Sequence, residues 1–445
     1  MLHVEGRPVP SGEPTSTRSS EPDKVFRKIV WRTMPVLFLI FVLSYMDRVN
    51  IGYAKLQFAH ELGLTDAMYG MGAGIFFIGY LVSGIPSNLA LARIGARATI
   101  SRIMITWGVV SSLMMCISSP AQFYLLRFLL GVAEGGLAPG VYLYLTYWFP
   151  EALRARMIAV FLAAVPVAGV LCAPLSGYLL ETMHNVNGLA GWQWMFLIEG
   201  IPSIIVGILV YFLIENTPQS ARWLTAAEKK WVAMSLASDT AGQTVGERRS
   251  DIRQALTSKT FLILAFIEII GGIAVAGFAY WLPQIVHDLG VRTFSRNGLV
   301  TAIPYLCASV GMIIWGYSSD WFRERRWHYA IAACVSGFAL LVASRDGISF
   351  YVAIGGLSLA YTGIMSCVSV FWAYTTTYLK SRAAVVGIGA LNAVASLATY
   401  ASQCAFGAAS MATNNSRSGL CGISIALFIA ACLVLFVPKN LRDAT

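Results

Sequence analysis

The stretch LRFLLGVAEGGLAPG, residues 126–140, places two opposite charges, Arg127 and Glu134, in an otherwise apolar run. Seven residues is close to two turns of α-helix, so both side chains are expected on one face, roughly 10 Å apart along the axis. Four glycines in the same stretch leave that helix little bulk, so neighbouring helices can approach it closely. The pattern predicts a crowded polar site inside a helical bundle.

The composition of the whole chain predicts that this bundle lies in a membrane. Of 445 residues, 57% are hydrophobic and 12% are charged, whereas a soluble protein of this length carries about a quarter charged residues. Successive apolar runs of about 20 residues, each long enough to cross the hydrocarbon core, fill most of the chain. We therefore predict an all-α polytopic membrane protein.

Twelve membrane spans are predicted, in two groups of six. They cover residues 32–56, 68–91, 98–118, 122–148, 157–181, 194–214, 261–287, 297–319, 329–344, 350–379, 384–411 and 420–437. The predicted organisation is a disordered tail (1–28), an N-terminal six-helix half (29–214), a cytoplasmic linker (215–259), a C-terminal six-helix half (260–438) and a second tail (439–445). The first tail is polar, rich in Pro and Ser, and has no apolar segment typical of a cleavable signal peptide.

The distribution of basic residues predicts the orientation of the chain. With the N terminus inside, the short inner loops hold ten Lys and Arg residues, while the outer loops hold five, among them Lys55. Both termini are therefore predicted to be cytoplasmic, with the protein integral to the plasma (inner) membrane. Despite a net charge of +10, no nucleic-acid partner is expected, because the positive charges follow the loops and form no single stripe.

Only two of the 32 basic residues are predicted to lie deep in the membrane, Arg48 and Arg127. Arg48 follows Asp47 in the stretch SYMDRVNIGYA, residues 44–54. One interpretation is two structural ion pairs, Asp47 with Arg127 and Glu134 with Arg48. The interpretation we favour is functional, since buried pairs contribute little over apolar packing and a charge at mid-membrane costs about 2.5–3.5 kcal/mol. In it the arginines bind a carboxylate, and protonation of Asp47 or Glu134 frees an arginine for it.

Two further acids are candidates for proton sites. Glu199, in GWQWMFLIEG (residues 191–200), is predicted near the outer mouth, either bracing a loop or carrying a proton. Glu268, in the seventh span, has no Lys or Arg in that span. It is therefore expected either to be protonated or to face a central cavity.

Enzyme chemistry has no support in the sequence. The chain has no GxSxG or HExxH motif, its five histidines fall in predicted tails or loops, and its eight cysteines lack the spacing of metal ligands. We therefore predict that the protein is not an enzyme and has no metal or cofactor site. The predicted coupling ion is a proton. A carboxylate sensor that does not transport stays as a remote alternative.

Several stretches carry a resemblance to a known family. They are SYMDRVNIGYA, GYLVSGIPSNLALARIGAR, LLRFLLGVAEGGLAPGVYLYLTYWFP, GWQWMFLIEG, YWLPQIV and FWAYTTTYLKSRAAVVGIGALNAVASL. Together they resemble the anion:cation symporter family of the major facilitator superfamily. The loops NLALARIGAR (88–97) and GYSSDWFRERR (316–326) are similar to that superfamily's repeated loop signature. Only the second copy keeps the acid, Asp320, so a charge latch is expected in the second half alone.

The resemblance implies two pseudo-symmetric six-helix halves and proton-coupled uptake (symport) of a small organic carboxylate by alternating access. The family is similar to tartrate, phthalate, hexuronate and hydroxyphenylacetate permeases and to sialin-like carriers. Carried onto this sequence, the resemblance implies substrate-binding residues Arg48, Arg127, Tyr45, Tyr80, Ser369, Phe371, Trp372 and Asn392, and proton-coupling residues Asp47 and Glu134. We expect a functional monomer whose partners are the anion, protons and the bilayer.

Departures from the family pattern bear on the substrate. Pro166 stands where sugar-acid members have a hydrogen-bonding side chain, residues 398–399 are Ala-Thr where members have a Gly pair, and Tyr374 and Tyr400 add aromatic character. These features favour a less polar or aromatic carboxylate. Residues 169–177 partly resemble a motif of drug:proton antiporters, so an anion exchanger or exporter of the same fold stays an alternative.

Overall fold

The computed structural model describes residues 21–241, 256–378 and 381–438. These ranges are almost entirely helical and contain no β-strand, only an isolated bridge between Val186 and Leu189. The helices are α1 Glu21–Glu61, α2 Asp66–Ile94, α3 Ala96–Leu113, α4 Pro120–Glu134, α5 Leu137–Trp148, α6 Glu151–Leu162, α7 Ala164–Thr182, α8 Gly191–Leu213, α9 Ala226–Ala241, α10 Lys259–Asp288, α11 Phe294–Trp321, α12 Arg326–Ala343, α13 Phe350–Tyr378, α14 Ser381–Thr413 and α15 Ser418–Leu435.

Eleven helical segments of the described ranges are long and apolar enough to cross a membrane. The fourth and fifth of them each combine two helices, α4 with α5 and α6 with α7. The predicted span at 384–411 coincides with α14, which is 33 residues long but rich in Ala and Ser and not among the eleven. Because α14 packs against α2 and α10 within the bundle, it completes the predicted twelve-helix, all-α membrane architecture.

The glycine-rich stretch that follows Arg127 is not one continuous helix. Gly136 adopts φ +104°, in the left-handed region that glycine tolerates, so α4 ends at Glu134 and α5 begins at Leu137, directly after Gly136. The predicted close approach is nevertheless present: a Cβ added to Gly131 would lie 2.0 Å from the carbonyl oxygen of Phe76 on α2. The stretch therefore places Glu134 at the C-terminal end of α4, and the glycines let this part of α4 pack closely against α2.

The N-terminal half (α1–α8) and the C-terminal half (α10–α15) meet mainly through α2 against α14 and α7 against α11. At the predicted outer end of α2, a Cβ on Gly70 would lie 2.4 Å from the carbonyl oxygen of Gln403 on α14. Toward the predicted inner end, Gly84 of α2 and Gly389 of α14 have nothing within 4 Å. The two halves thus touch on the predicted outer side, whereas these two glycines toward the predicted inner side face open space.

Helix α1 begins inside the segment predicted as a disordered tail. Val25 and Phe26 are buried, and the ring of Phe26 lies 5.5 Å from that of Trp231 on α9. The tail boundary at residue 28 is therefore wrong for residues 21–28, because contact with α9 gives this amphipathic start a packing partner. The remainder of the two tails, 1–20 and 439–445, and residues 242–255 of the linker lie outside the described residues.

The amphipathic part of the linker forms α9 for a local reason. Thr225 and Glu228 exchange hydrogen bonds between side chain and backbone, Thr225 N–H to Glu228 Oε2 at 2.8 Å and Glu228 N–H to Thr225 Oγ1 at 3.2 Å, which is a capping box. Lys28 pairs with the same carboxylate at 3.0 Å. The Thr225 amide and the Lys28 ammonium hold the pKa of Glu228 below its usual value. The helix is thereby tied to the start of α1.

The charge latch occurs where the second loop copy keeps its acid. Arg325 forms an ion pair with Asp320, as predicted. In the first copy, where Ala92 replaces the acid, the Arg97 backbone N–H donates to Asn216 Oδ1 at 3.0 Å. The two loops therefore brace their helices by different contacts.

Candidate functional site

A central cavity of about 170 Å³ lies between the two halves. Among the described residues that line it, two are charged: Arg48 of α1 and Glu268 of α10. Seven are aromatic: Phe41, Tyr45, Phe77, Tyr80, Tyr142, Tyr280 and Trp372. The cavity is an aromatic chamber with a cation contributed by one half and a carboxylate by the other.

Arg48 is held against the end of α4 by Glu134. Its Nη2 and Nε lie 2.6 Å and 2.8 Å from Glu134 Oε1. The Ser44 hydroxyl donates to the same oxygen, while Oε2 is buried and has no hydrogen-bond partner. One of the two predicted ion pairs is therefore confirmed, and all of its hydrogen bonds fall on a single carboxylate oxygen.

Aromatic rings surround the Arg48 guanidinium on its cavity side. The rings of Tyr45 and Tyr80, both expected to contact the substrate, lie 4.9 and 5.0 Å from its carbon, and that of Phe76 lies 5.2 Å away. Cation–π contacts of this kind hold a guanidinium without using its N–H donors. The fork of Arg48 is thus positioned by rings and by Glu134 together.

Asp47 points away from the cavity, into the N-terminal half. It accepts hydrogen bonds from Trp107 Nε1 at 2.5 Å and from the Ser111 hydroxyl at 2.7 Å, both on α3, and from Ser203 of α8 at 3.3 Å. The predicted pair of Asp47 with Arg127 is wrong. Consecutive helical residues point about 100° apart, so Asp47 turns to α3 and α8 while Arg48 faces α4.

Arg127 is buried, 1% exposed, and it forms no ion pair within the described ranges. Its Nη2 lies 3.4 Å from the Ala73 carbonyl oxygen, and Nε has no hydrogen-bond partner. Its guanidinium lies 5.0 Å from the ring of Phe76 and 5.8 Å from that of Tyr280. Phe76 therefore separates Arg127 from Arg48, and Arg127 does not line the cavity.

The two further acids differ in position. Glu199 is buried in α8, where its Oε1 accepts a 2.7 Å hydrogen bond from Ser176 of α7. Its contact with a helix shows that it does not brace a loop; it lies inside the N-terminal half and outside the cavity lining. Glu268 faces the cavity and forms no hydrogen bond or ion pair within the part of the chain that the structure describes.

Of the four C-terminal residues implied to contact substrate, Trp372 and Asn392 line the cavity and Ser369 and Phe371 do not. Met365, Val368 and Trp372 of α13 recur at helical spacing along the wall. Ser369 turns toward Gly316 of α11, and Phe371 packs away from the cavity beside Leu264 and Tyr374. Ser369 and Phe371 therefore lie outside the cavity wall of this conformation, because neighbouring residues of one helix face different directions, and their contact with substrate stays a prediction.

The family model described as Major Facilitator Superfamily matches residues 37–403.

The chain belongs to the major facilitator superfamily.

Relatives and solved structures agree with that membership. The "Putative metabolite transport protein NicT" of Pseudomonas putida is 37% identical, over 94% of this chain and 95% of its own length. A "Putative tartrate transporter" of Agrobacterium vitis is also 37% identical, over 94% and 92%. A bacterial homologue of the human lysosomal transporter Spinster, solved in an inward-facing and occupied conformation, has the same fold, with TM-score 0.74, 18% identity and coverage of 96% and 99%. This protein is therefore an integral membrane transporter of a small molecule and not an enzyme.

Lys55, which is predicted to lie in an outer loop, is a further buried cation of the transporter. Lys55 lies within α1 with its side chain 3% exposed, and Nζ is 2.8 Å from Asp66 Oδ1. The ring of Trp281, from the C-terminal half, lies 4.1 Å from Nζ, and Ser410 of α14 donates to Asp66 at 2.5 Å. These four residues join the halves on the predicted outer side, and we call them the outer closure. The predicted loop position of Lys55 is therefore wrong, because α1 runs to residue 61, beyond the predicted end of the span.

Sequence reasoning missed most of the aromatic lining. Phe41, Tyr45 and Arg48 stand at helical spacing on α1, so periodicity counted back from Arg48 would have found Phe41. Tyr280 lies in the stretch YWLPQIV, which resembles the family but contains none of the predicted substrate-binding residues. Tyr142 lies 6.0 Å from Trp372 across the cavity, and no local signal predicts a contact between residues so far apart in the chain.

Proposed function

We propose that this transporter takes up a small organic carboxylate together with protons, as a member of the anion:cation symporter family. The observation that carries the proposal is the Arg48–Glu134 pair in the cavity wall, with one carboxylate oxygen unpartnered. Protonation of Glu134 weakens its hold on Arg48, whose guanidinium fork can then bind a substrate carboxylate through two hydrogen bonds. Proton entry and anion entry are coupled at one pair of residues.

Arg127 and Asp47 are assigned secondary roles. Arg127 is one aromatic ring away from Arg48 and is covered on its other side by Tyr280 of the C-terminal half. Separation of the halves at the outer closure moves Tyr280 away, so Arg127 is proposed to meet the anion in that state only. Asp47, already accepting three hydrogen bonds from α3 and α8, is proposed as the slower second proton site.

The body of the substrate is proposed to be aromatic. Seven aromatic rings line the cavity, among them Trp372, whereas its polar C-terminal wall is largely committed to backbone bonds, as in Asn392 to the Ile388 carbonyl oxygen at 3.0 Å. Ring stacking favours flat apolar bodies, while a polyhydroxylated substrate would need many free donors and acceptors. The name of one relative, a tartrate transporter, supports an organic anion but not an aromatic one.

The test is uptake into proteoliposomes with an imposed inward proton gradient. The panel runs from gluconate through tartrate to phthalate and 4-hydroxyphenylacetate, each as a radiolabelled anion. We expect an aromatic carboxylate to accumulate, and a protonophore to abolish the accumulation because it collapses the gradient that drives uptake.

Protein-free liposomes give the background, and vesicles preloaded with unlabelled anion test exchange. Accumulation that needs preloaded anion and ignores the proton gradient would make the protein an exchanger and refute symport. Failure of every carboxylate to accumulate under either condition would refute the carboxylate assignment itself.

A further inference from the structure

Glu268 is the only charged residue that the C-terminal half contributes to the described cavity lining. It projects from α10 where Gly271, one turn further on, leaves room: an added Cβ there would meet nothing but Glu268 Oε2, at 4.0 Å. Neither a hydrogen bond nor an ion pair joins the carboxylate to any residue in the described ranges. The group is therefore available to whatever occupies the cavity.

The neighbouring polar side chains of α14 are already occupied. Ser396 and Thr399 donate to backbone carbonyls one turn earlier, those of Asn392 and Ala395, at 2.8 and 2.7 Å. No Lys or Arg of the C-terminal half lines the cavity among the described residues. Arg48, the protein cation of this chamber, is paired with Glu134, so the Glu268 carboxylate is stabilised by a cation or strong donor carried by the ligand.

The N-terminal wall of the same cavity carries Arg48, and seven aromatic rings line the cavity together with the two charges. We infer that the substrate is amphoteric: an aromatic carboxylate that also bears a protonated nitrogen. Its carboxylate binds Arg48 of the N-terminal half, its ring lies among the aromatic side chains, and its N–H group donates to Glu268 of the C-terminal half. This inference rests on the proposed function and adds the second recognition group. Such a ligand bridges the halves, so closure around it forms both contacts at once.

The experiment measures the affinity of two matched probes for the purified full-length protein by isothermal titration calorimetry near neutral pH. The probes are 3-(aminomethyl)benzoate, which carries an ammonium group, and 3-(hydroxymethyl)benzoate, its neutral counterpart of the same shape. We expect the wild-type protein to bind the aminomethyl probe about tenfold more tightly, as a charge-assisted hydrogen bond provides. In Glu268→Gln that preference should fall to near parity, with the affinity for the hydroxymethyl probe unchanged.

Glu215→Gln, the same substitution outside the membrane-spanning helices and the cavity, is the matched control and should keep the wild-type preference. Equal binding of the two probes by the wild type, or an undiminished preference in Glu268→Gln, would overturn the inference while leaving the carboxylate proposal intact. Loss of both probes in a monodisperse Glu268→Gln variant would also overturn it, because Glu268 would then serve the site generally and not the nitrogen. Failure of both probes to bind the wild type would also overturn this inference, whereas the carboxylate proposal is decided separately by uptake of the carboxylate panel.

Discussion

The two halves of the bundle treat buried charge in opposite ways. The N-terminal half encloses Asp47, Arg48, Arg127, Glu134 and Glu199, and each contacts hydrogen-bond partners or aromatic rings of its own half. The C-terminal half presents a single carboxylate, Glu268, to the cavity without a partner in the described ranges. The one ion pair among them, Arg48 with Glu134, can exchange a proton for an anion, whereas an isolated charge can only recognise a ligand or a proton. Under the proposed function, the N-terminal half couples the proton to the anion and binds its carboxylate, while the C-terminal half recognises the nitrogen of the ligand.

The largest effect is expected from removing the cavity-facing cation of the network. Arg48→Ala should reduce uptake at least about tenfold, toward the protein-free background, because the carboxylate loses a charge-assisted contact and Glu134 is left buried without its cation. The measurement is gradient-driven uptake of the carboxylate identified in proteoliposomes. Arg102→Ala, the same substitution at an exposed position of α3, should transport normally. Undiminished uptake by a folded Arg48→Ala variant would refute the assignment.

Arg127 tests the comparison further because it is a buried charge of the N-terminal half that does not line the cavity. Arg127→Ala should lower uptake about tenfold if this cation meets the anion after the outer closure separates. Affinity measured in detergent for the state described here should change much less, since Phe76 and Tyr280 cover Arg127. Equal loss of affinity and uptake would show that Arg127 acts in the closed state as well, against the proposed sequence of contacts.

Glu134→Gln tests which half carries the proton. In the wild type, substrate affinity should rise as pH falls, because a proton on Glu134 releases Arg48. Gln imitates the protonated acid, so affinity should be high and flat with pH, and the stimulation of uptake by a proton gradient should disappear. Titrations of binding against pH, with Glu215→Gln as control, check this. Persisting proton dependence would move the coupling role to Asp47 of the same half or to Glu268, and a role for Glu268 would erase the division between the halves.

The smallest expected effect is on stability. Asp47→Asn replaces one acceptor oxygen by an NH₂ group, which then faces either the donor Trp107 at the Oδ2 position or the donor Ser111 at the Oδ1 position. About 1–3 kcal/mol of unfolding free energy should therefore be lost. The melting temperature of the detergent-solubilised protein should fall, and that of Trp107→Phe, which removes a single donor, should fall less. An unchanged melting temperature in Asp47→Asn would show that this part of the network does not support the fold.

Much of the site could be predicted from local pattern, and the failures have a common origin. Charges in apolar runs identified Arg48, Glu134 and the candidate Glu268, and short loops rich in Lys and Arg divided the chain into spans. The predicted partner of Asp47 and the predicted loop position of Lys55 were wrong, and Ser369 and Phe371 do not line the cavity. Each of these positions depends on which helix packs against it. Contacts between helices that are distant in sequence leave no periodic pattern within either helix, so they cannot be predicted from local sequence.

The sequence by itself determined that this chain is a polytopic helical transporter with buried acids and arginines, because apolar length and charge placement act locally through the membrane's low polarity. Tertiary structure alone decided that Arg48 and Glu134 pair while Arg127 lies behind Phe76, that Lys55 joins the outer closure, and that Glu268 faces Arg48 across one cavity. The physical reason is that helical periodicity specifies a side chain's direction on its own helix, whereas its partners are set by how twelve helices pack.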